Sequence, residues 1–437
     1  MLTTIRNAWK IPDLRRRIIF TLFMLIIFRF GAHVPVPYLS KDAMAAFLGE
    51  GSGMDLFSLF NTFTGGAFAN ATVLAMGVSP YINASIIVQL LTVAIPALER
   101  LSKEGVEGRK KINKLTRYLG IVLAFVQGSG LYVTLNNMGS AITNPSVLTF
   151  FVIVLTFTAG TAFVVWIGEL ITEKGLGNGI SMIIFAGIVS AIPGAIQKVF
   201  VTYVSGYSPK GIITALAILA VAIAAIVLVV FFTNAERRIS VQYAKRVVGR
   251  KMYGGQSTNI PIKVAASGVM PIIFAASIMA FPSTIVRLLN GGNVPSTGVG
   301  GTILNCLSTA GPLWTTVVYA ILYFLLIIFF TYFYSSIQFN PIEMSNNIKK
   351  SGGYIPGIRP GKATSDYIAK VTSRLNLVGA IFLGIVAVLP IVIGSILSNQ
   401  SLQLGGTSLL IMVGVALETV QQIESQMVMR HYKGFLE

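Results

Sequence analysis

Dense clusters of Lys and Arg recur along this chain only in alternate gaps between apolar stretches, and that alternation constrains the fold more than any other feature. Arg6, Lys10, Arg15, Arg16 and Arg17 precede the first apolar stretch, and further clusters lie at Arg100 to Arg117, Arg237 to Lys263 and Lys349 to Arg374. The intervening gaps hold only Lys41, Lys198, Lys210 and Arg287. Lys and Arg beside a membrane span are retained on the cytoplasmic side. The chain therefore reads as a multi-pass membrane protein with large, basic, cytoplasm-facing loops.

A helix needs about 20 apolar residues to cross a bilayer. Stretches near that length, bounded by charge and by Gly/Pro, predict ten spans: 18–35, 73–96, 118–136, 148–171, 180–199, 211–233, 265–286, 313–336, 374–397 and 406–428. An even number puts both termini in the cytoplasm, where Arg430 and Lys433 fit. The basic start followed by Ile18 to Phe28 lacks a small-residue cleavage site, so it reads as an uncleaved first span. Dividing the chain into 1–205 and 206–437 gives five spans per half. Because five is odd, the second half starts on the opposite side, and any internal repeat is inverted. The expected fold class is thus an all-α membrane protein of two inverted five-helix halves, with cytoplasmic loops at about 234–264 and 337–373.

Several functions are disfavoured by what the spans lack. An ion-coupled carrier buries ionisable groups at mid-membrane, yet Glu169 and Glu418 fall at predicted cytoplasmic ends and Arg29 is placed to snorkel at the outer end of the first span. Gly361-Lys362 is not a phosphate loop, since Pro356 stands where the first glycine belongs and Ala363 replaces the Ser/Thr. Gly175, Gly177 and Gly179 fall short of a dinucleotide fingerprint, with Ile180 in the last glycine position. Two histidines, His33 and His431, and one cysteine, Cys306, provide neither a catalytic grouping nor a metal set. The expectation is a protein without catalytic residues, cofactor or metal, whose energy comes from a partner. A formal charge of +18 fits anionic lipid headgroups and nucleic-acid phosphates alike.

Three segments stand apart. Residues 53–63 carry Phe57, Phe60 and Phe63 at helical spacing, are too short to span, and end at Gly65-Gly66. They either re-enter from the outer face, buried by protein, or lie along the surface as an interfacial helix. Residues 237–246 alternate apolar and polar side chains, and Gly249-Arg250-Lys251 turns them toward a second extended segment ending near Pro261. A basic hairpin projecting from a membrane is a docking surface. Pro356-Gly357-Ile358-Arg359-Pro360-Gly361 predicts a rigid turn that presents Arg359 in a defined place.

Gly77 to Leu91 (GVSPYINASIIVQLL), Gly175 to Ser181 (GLGNGIS), Tyr243 to Arg246 (YAKR), Lys349 to Gly353 (KKSGG) and Pro356 to Gly361 (PGIRPG) together resemble the SecY family of bacterial protein-conducting channels, in order and from the first span to the last. The resemblance implies an hourglass channel between the two halves, closed by a short plug helix at Met54 to Phe63 that includes Phe57 and Phe60. It implies a constricting ring of Val78, Ile82, Ile86, Ile180, Ile184, Ile273 and Ile411, each of which alone would read as ordinary helix packing. It further implies a lateral gate between spans 2, 3, 7 and 8, with Gln89 as a polar contact. Lys245, Arg246, Arg250, Lys251 and Arg359 would dock partners. Those partners would be SecE, SecG, the SecA ATPase, the ribosome with its RNA phosphates, preproteins with their signal peptides, and lipid of the bacterial plasma membrane. The reading from a different class is a secondary transporter of inverted-repeat fold.

Overall fold

The computed structural model describes residues 2–44, 61–137, 141–201, 209–243, 246–248, 251–253, 257–264, 268–289, 301, 306–307, 313–396 and 405–433. Met54, Phe57, Phe60, Lys245 and Arg250 lie outside them.

Among the described residues, ten helices have 16 or more residues: α2 (Pro12–Gly31), α3 (Ser79–Ala94), α5 (Val106–Asn137), α6 (Val147–Lys174), α7 (Gly179–Val199), α8 (Pro209–Asn234), α9 (Met270–Leu289), α10 (Leu313–Gln338), α12 (Lys362–Ile396) and α13 (Gly405–Lys433). Three shorter helices join them: α1 (Leu2–Lys10), α4 (Pro96–Lys103) and α11 (Pro341–Lys350). By length and composition, four stretches among the described residues are apolar enough to cross a membrane: α5, α6, Trp314–Lys350 and Lys362–Val392. The bent pair α3–α4 makes a fifth if it is one span. Large apolar side chains such as Phe30 (75% exposed) and Phe231 (73%) face outward, a surface that lipid covers and water does not favour.

Two helix boundaries depart from the sequence expectation. The second span was placed from residue 73, but residues 64–78 form turns and α3 starts at Ser79, with Pro80 in its first turn, where a missing N–H costs nothing. At the other end Ile95 precedes Pro96 and is extended (φ −107°, ψ 114°). A residue before proline is pushed out of the helical region, and the chain bends there by 101° into α4.

Helix contacts fall into two groups of five. Within the first, α3 packs on α5, α5 on α6, α6 on α7, and α2 on α7. Within the second, α9 packs on α10, α10 on α12, α12 on α13, and α8 on α13. The first group also packs α2 and α3 on α6, contacts not matched between α8 or α9 and α12 among the described residues. Between groups, α9 touches α3 and α5 at one seam, while α13 touches α7 and α1 at another. The main apolar cluster draws on both groups.

The described residues are not purely helical. β1 (Glu236–Tyr243) is the centre of a three-stranded antiparallel sheet, flanked by β4 (Ser257–Lys263) and β5 (Gly353–Tyr354). β1 and β4 pair from Glu236↔Lys263 to Gln242↔Ser257. Beyond them β2 (Arg246–Val248) and β3 (Lys251–Tyr253) form a separate two-stranded hairpin. The expected basic hairpin is present, with its second arm running to Lys263 rather than Pro261. The first and last described helices, α1 and α13, pack together near this sheet-bearing end. Ala8, Leu14, Leu176 and Ile423 cluster there, Lys263 Nζ donates to Gln421 Oε1 on α13, and Gln421 Nε2 donates to Asn234 Oδ1 at 3.3 Å.

Candidate functional site

Four features carry chemistry, beginning with the apolar centre. Val78, Ile82 and Ile86 come from the start of α3, Ile180 and Ile184 from α7, Ile273 from α9 and Ile411 from α13. All seven belong to the one cluster shared by both helix groups. Six are nearly closed off, from 7% exposure at Ile82 to 1% at Ile184 and Ile411, and Ile180 is partly buried. Asn178 aims α7 at this centre: its Oδ1 accepts from Ile180 N (3.1 Å) and Ser181 N (3.3 Å), capping the helix. Aliphatic side chains form no directional bonds, so a ring of them can part and close again without retaining what touches it.

The second feature is the chain entering from residues 61–66. Gly66 N donates to Asn61 O (2.8 Å) and Gly65 N to Thr62 O (3.2 Å), with Gly65 at φ +64°. This is the Schellman pairing that ends a helix at a left-handed residue. Phe63 is half-buried and packs against the central cluster. Arg29 at the end of α2 does not simply reach for water: its Nη1 donates to Gly65 O at 2.7 Å. On the other side, a Cβ at Gly187 of α7 would lie 2.9 Å from Phe63 C, so the two backbones touch. Sequence reasoning missed both Arg29 and Gly187 as partners of this segment. A cation inside an apolar stretch was the available signal.

The third feature is Gln89 on α3, which donates from Nε2 to Ser85 Oγ at 3.2 Å. Its Oε1 is buried with no hydrogen-bond partner among the described residues. A buried amide oxygen left unmet costs about 1–3 kcal/mol, so α3, one of the helices that α9 touches, carries a weak polar point.

At the sheet-bearing end, two loops that are distant in sequence form one platform. Ile239 and Val241 of β1, Ile262 of β4, Ile348 of α11, Ile355 just after β5 and Ile368 of α12 make a small separate core. Ile355 opens a type II turn: Pro356 and Gly357 (φ +80°) occupy its middle, and Ile358 N donates to Ile355 O at 3.0 Å. Thr364 Oγ1 donates to Arg359 O (2.9 Å) and Ser345 Oγ to Gly361 O (2.8 Å). Arg359 is exposed on this pinned turn. Arg246 and Lys251 sit on the β2–β3 hairpin, paired in register with Tyr253 and Val248. Between α5 and α6, Arg117 Nε lies 3.2 Å from Glu169 Oε1, and both are partly solvated, so the pair contributes at most about 1 kcal/mol.

Comparison with known proteins places these features in context. The SecY family model matches residues 72–420. The chain is 47% identical over 443 residues to the protein translocase subunit SecY of Halalkalibacterium halodurans, and the alignment covers all of both chains. Among solved structures, one described as a protein conducting channel superposes with a TM-score of 0.67 at 20% identity, covering 97% of each chain. Sec61 in the canine ribosome-channel complex superposes with a TM-score of 0.63 at 19% identity, again over 97% of each.

Proposed function

The chain belongs to the SecY family of protein translocase subunits, and from that premise we propose that it is the central channel subunit of a Sec translocon in the bacterial plasma membrane. It conducts unfolded secretory proteins across the membrane and releases apolar segments sideways into lipid, without catalysis of its own. Ten helices span, five in residues 1–205 and five in 206–437. Both termini and the sheet-bearing end face the cytoplasm, in keeping with the basic loops gathered there.

The observation that carries this reading is the convergence of Val78, Ile82, Ile86, Ile180, Ile184, Ile273 and Ile411 from both helix groups into one closed apolar cluster. In the closed state they form a neck from which water is excluded, which blocks ions without a charged filter. Met54 to Phe63 acts as the plug, with its last residue resting on that neck. The seam marked by Gln89, where α3 and α5 meet α9, is the lateral gate to lipid, the fourth wall being α10.

The platform of β1, β4, β5 and the turn at Arg359 serves the driving partners. Arg359 engages the SecA ATPase or the ribosome. Lys245, Arg246, Arg250 and Lys251 meet ribosomal RNA phosphates, a contact weakened by salt. SecE and SecG bind within the membrane, and preproteins enter led by their signal peptides. Purified protein reconstituted with SecE in proteoliposomes should import a labelled preprotein only when SecA and ATP are added. Import of preprotein without SecA, or none under any combination alongside uptake of a small solute, would contradict the proposal.

A further inference from the structure

We propose that Arg29 is a positioning residue that clamps the foot of the plug segment, residues 61–66, and so fixes the point about which that segment leaves its closed position. The inference rests on the plug reading above and adds the anchor that reading lacks.

The foot is held from two sides. Arg29 Nη1 donates to Gly65 O at 2.7 Å across 36 residues of sequence. Gly65 is fully buried and Arg29 half-buried, so the guanidinium is withdrawn from bulk water, which is costly unless the charge finds a partner. Gly65 is the left-handed residue of the Schellman cap, and a cation beside the last carbonyls of a helical turn is favoured. One side chain thus satisfies a carbonyl, neutralises the end of the turn and ties it to α2.

From the opposite side α7 closes in. A Cβ built on Gly65 would run into Ser190 Oγ and lie 2.8 Å from Arg29 Nη1. The Ser190 hydroxyl is already committed to Gly187 O at 2.7 Å, so it walls the foot without bonding to it. The foot is also tied forward, because Asn61 Oδ1 accepts from Ala69 N at 2.9 Å. Residues 61–66 therefore form a rigid base between α2 and α7. Unlike the Asn61 tie, the Arg29 contact comes from outside the foot, so one substitution removes it and leaves residues 61–66 unchanged. A cation that merely snorkelled would leave the foot indifferent to its identity.

Resting conductance of the reconstituted complex in planar bilayers tests this with four variants: Arg29→Gln, Arg29→Lys, deletion of residues 54–60, and Arg29→Gln combined with that deletion. Losing a charge-assisted hydrogen bond shifts a two-state equilibrium by about tenfold. Arg29→Gln should therefore raise the open fraction by about that factor, and Arg29→Lys, which keeps the charge but loses the planar fork, should fall between. In the deleted background Arg29→Gln should add nothing, since there is no plug left to release. A purely structural role would lower stability in both backgrounds and raise conductance equally in both, which overturns the inference. So does normal conductance in Arg29→Gln and Arg29→Lys when the deletion alone is leaky. If the deletion itself is not leaky, the plug reading fails first. Should Arg29→Gln not accumulate, Arg29→Lys with and without the deletion decides between the same outcomes.

Discussion

Two glycines on α7 make the same substitution give opposite results. At Gly187 an added methyl would sit 2.9 Å from the carbonyl carbon of Phe63 and 3.2 Å from Gly65 N. Separations below 3.0 Å essentially never occur, and the atoms on both sides are backbone, which cannot swing away. Overpacking of this kind costs about 1–3 kcal/mol. If the closed position of the foot bears that cost, the closed-to-open ratio falls by about 5- to 150-fold. Seven residues along, Gly194 has nothing among the described residues within 4 Å of its would-be Cβ. Alanine there only removes unfolded-chain and helix-interior freedom, a gain of about 0.5–1 kcal/mol. Gly187→Ala should therefore lower the thermal midpoint of the purified complex and raise its resting conductance, while Gly194→Ala leaves conductance unchanged and the midpoint equal or higher. Identical behaviour of the two variants would refute the packing of residues 63–65 on α7.

Arg359→Glu should accumulate in the membrane at normal level, because an exposed substitution changes stability by about 0.5 kcal/mol or less, yet SecA-driven translocation should drop sharply; normal translocation removes Arg359 from the docking surface. Replacing Ile82, Ile86, Ile184 and Ile411 together by Ser should raise resting ion conductance above that of a plug deletion, since hydroxyls keep a narrow neck wet, and unchanged conductance would place those residues away from the permeation path. In a Cys306→Ser background, Ser257→Cys should react with an impermeant maleimide only after spheroplasts are permeabilised, whereas Cys306, which is half-buried, should label slowly from outside. Labelling of Ser257→Cys in intact cells would invert the topology.

The helices were legible because charge and apolar length are local signals. Each of the ten expected stretches overlaps a long helix, and the basic hairpin was readable from alternation at Arg237 to Arg246. Turn chemistry was also legible, since Pro356-Gly357 makes the expected turn, whereas the cap that Asn178 places on α7 was not read from the sequence. The start of α3 was misplaced although Ser79-Pro80 is itself a helix-start signal, because apolar residues 73–78 extended the hydropathy run. What could not be read were contacts between distant segments. β5 pairs with β1 across some 110 residues through Gln242↔Tyr354, and no local pattern at Gly353 announces it. Arg29 looked like a snorkelling cation because sequence shows its depth but not Gly65 O beside it.

The central claim is that the closed apolar cluster is the path of the translocating chain. Cysteines placed singly at Ile86, Ile184, Ile273 and Ile411, which approach the cluster from α3, α7, α9 and α13, test it directly. A preprotein arrested midway and carrying one cysteine should crosslink to all four positions, and to them only while it occupies the channel. Arrested chains that crosslink elsewhere in the protein but to none of these four would show that the cluster is packing and that the path lies somewhere else.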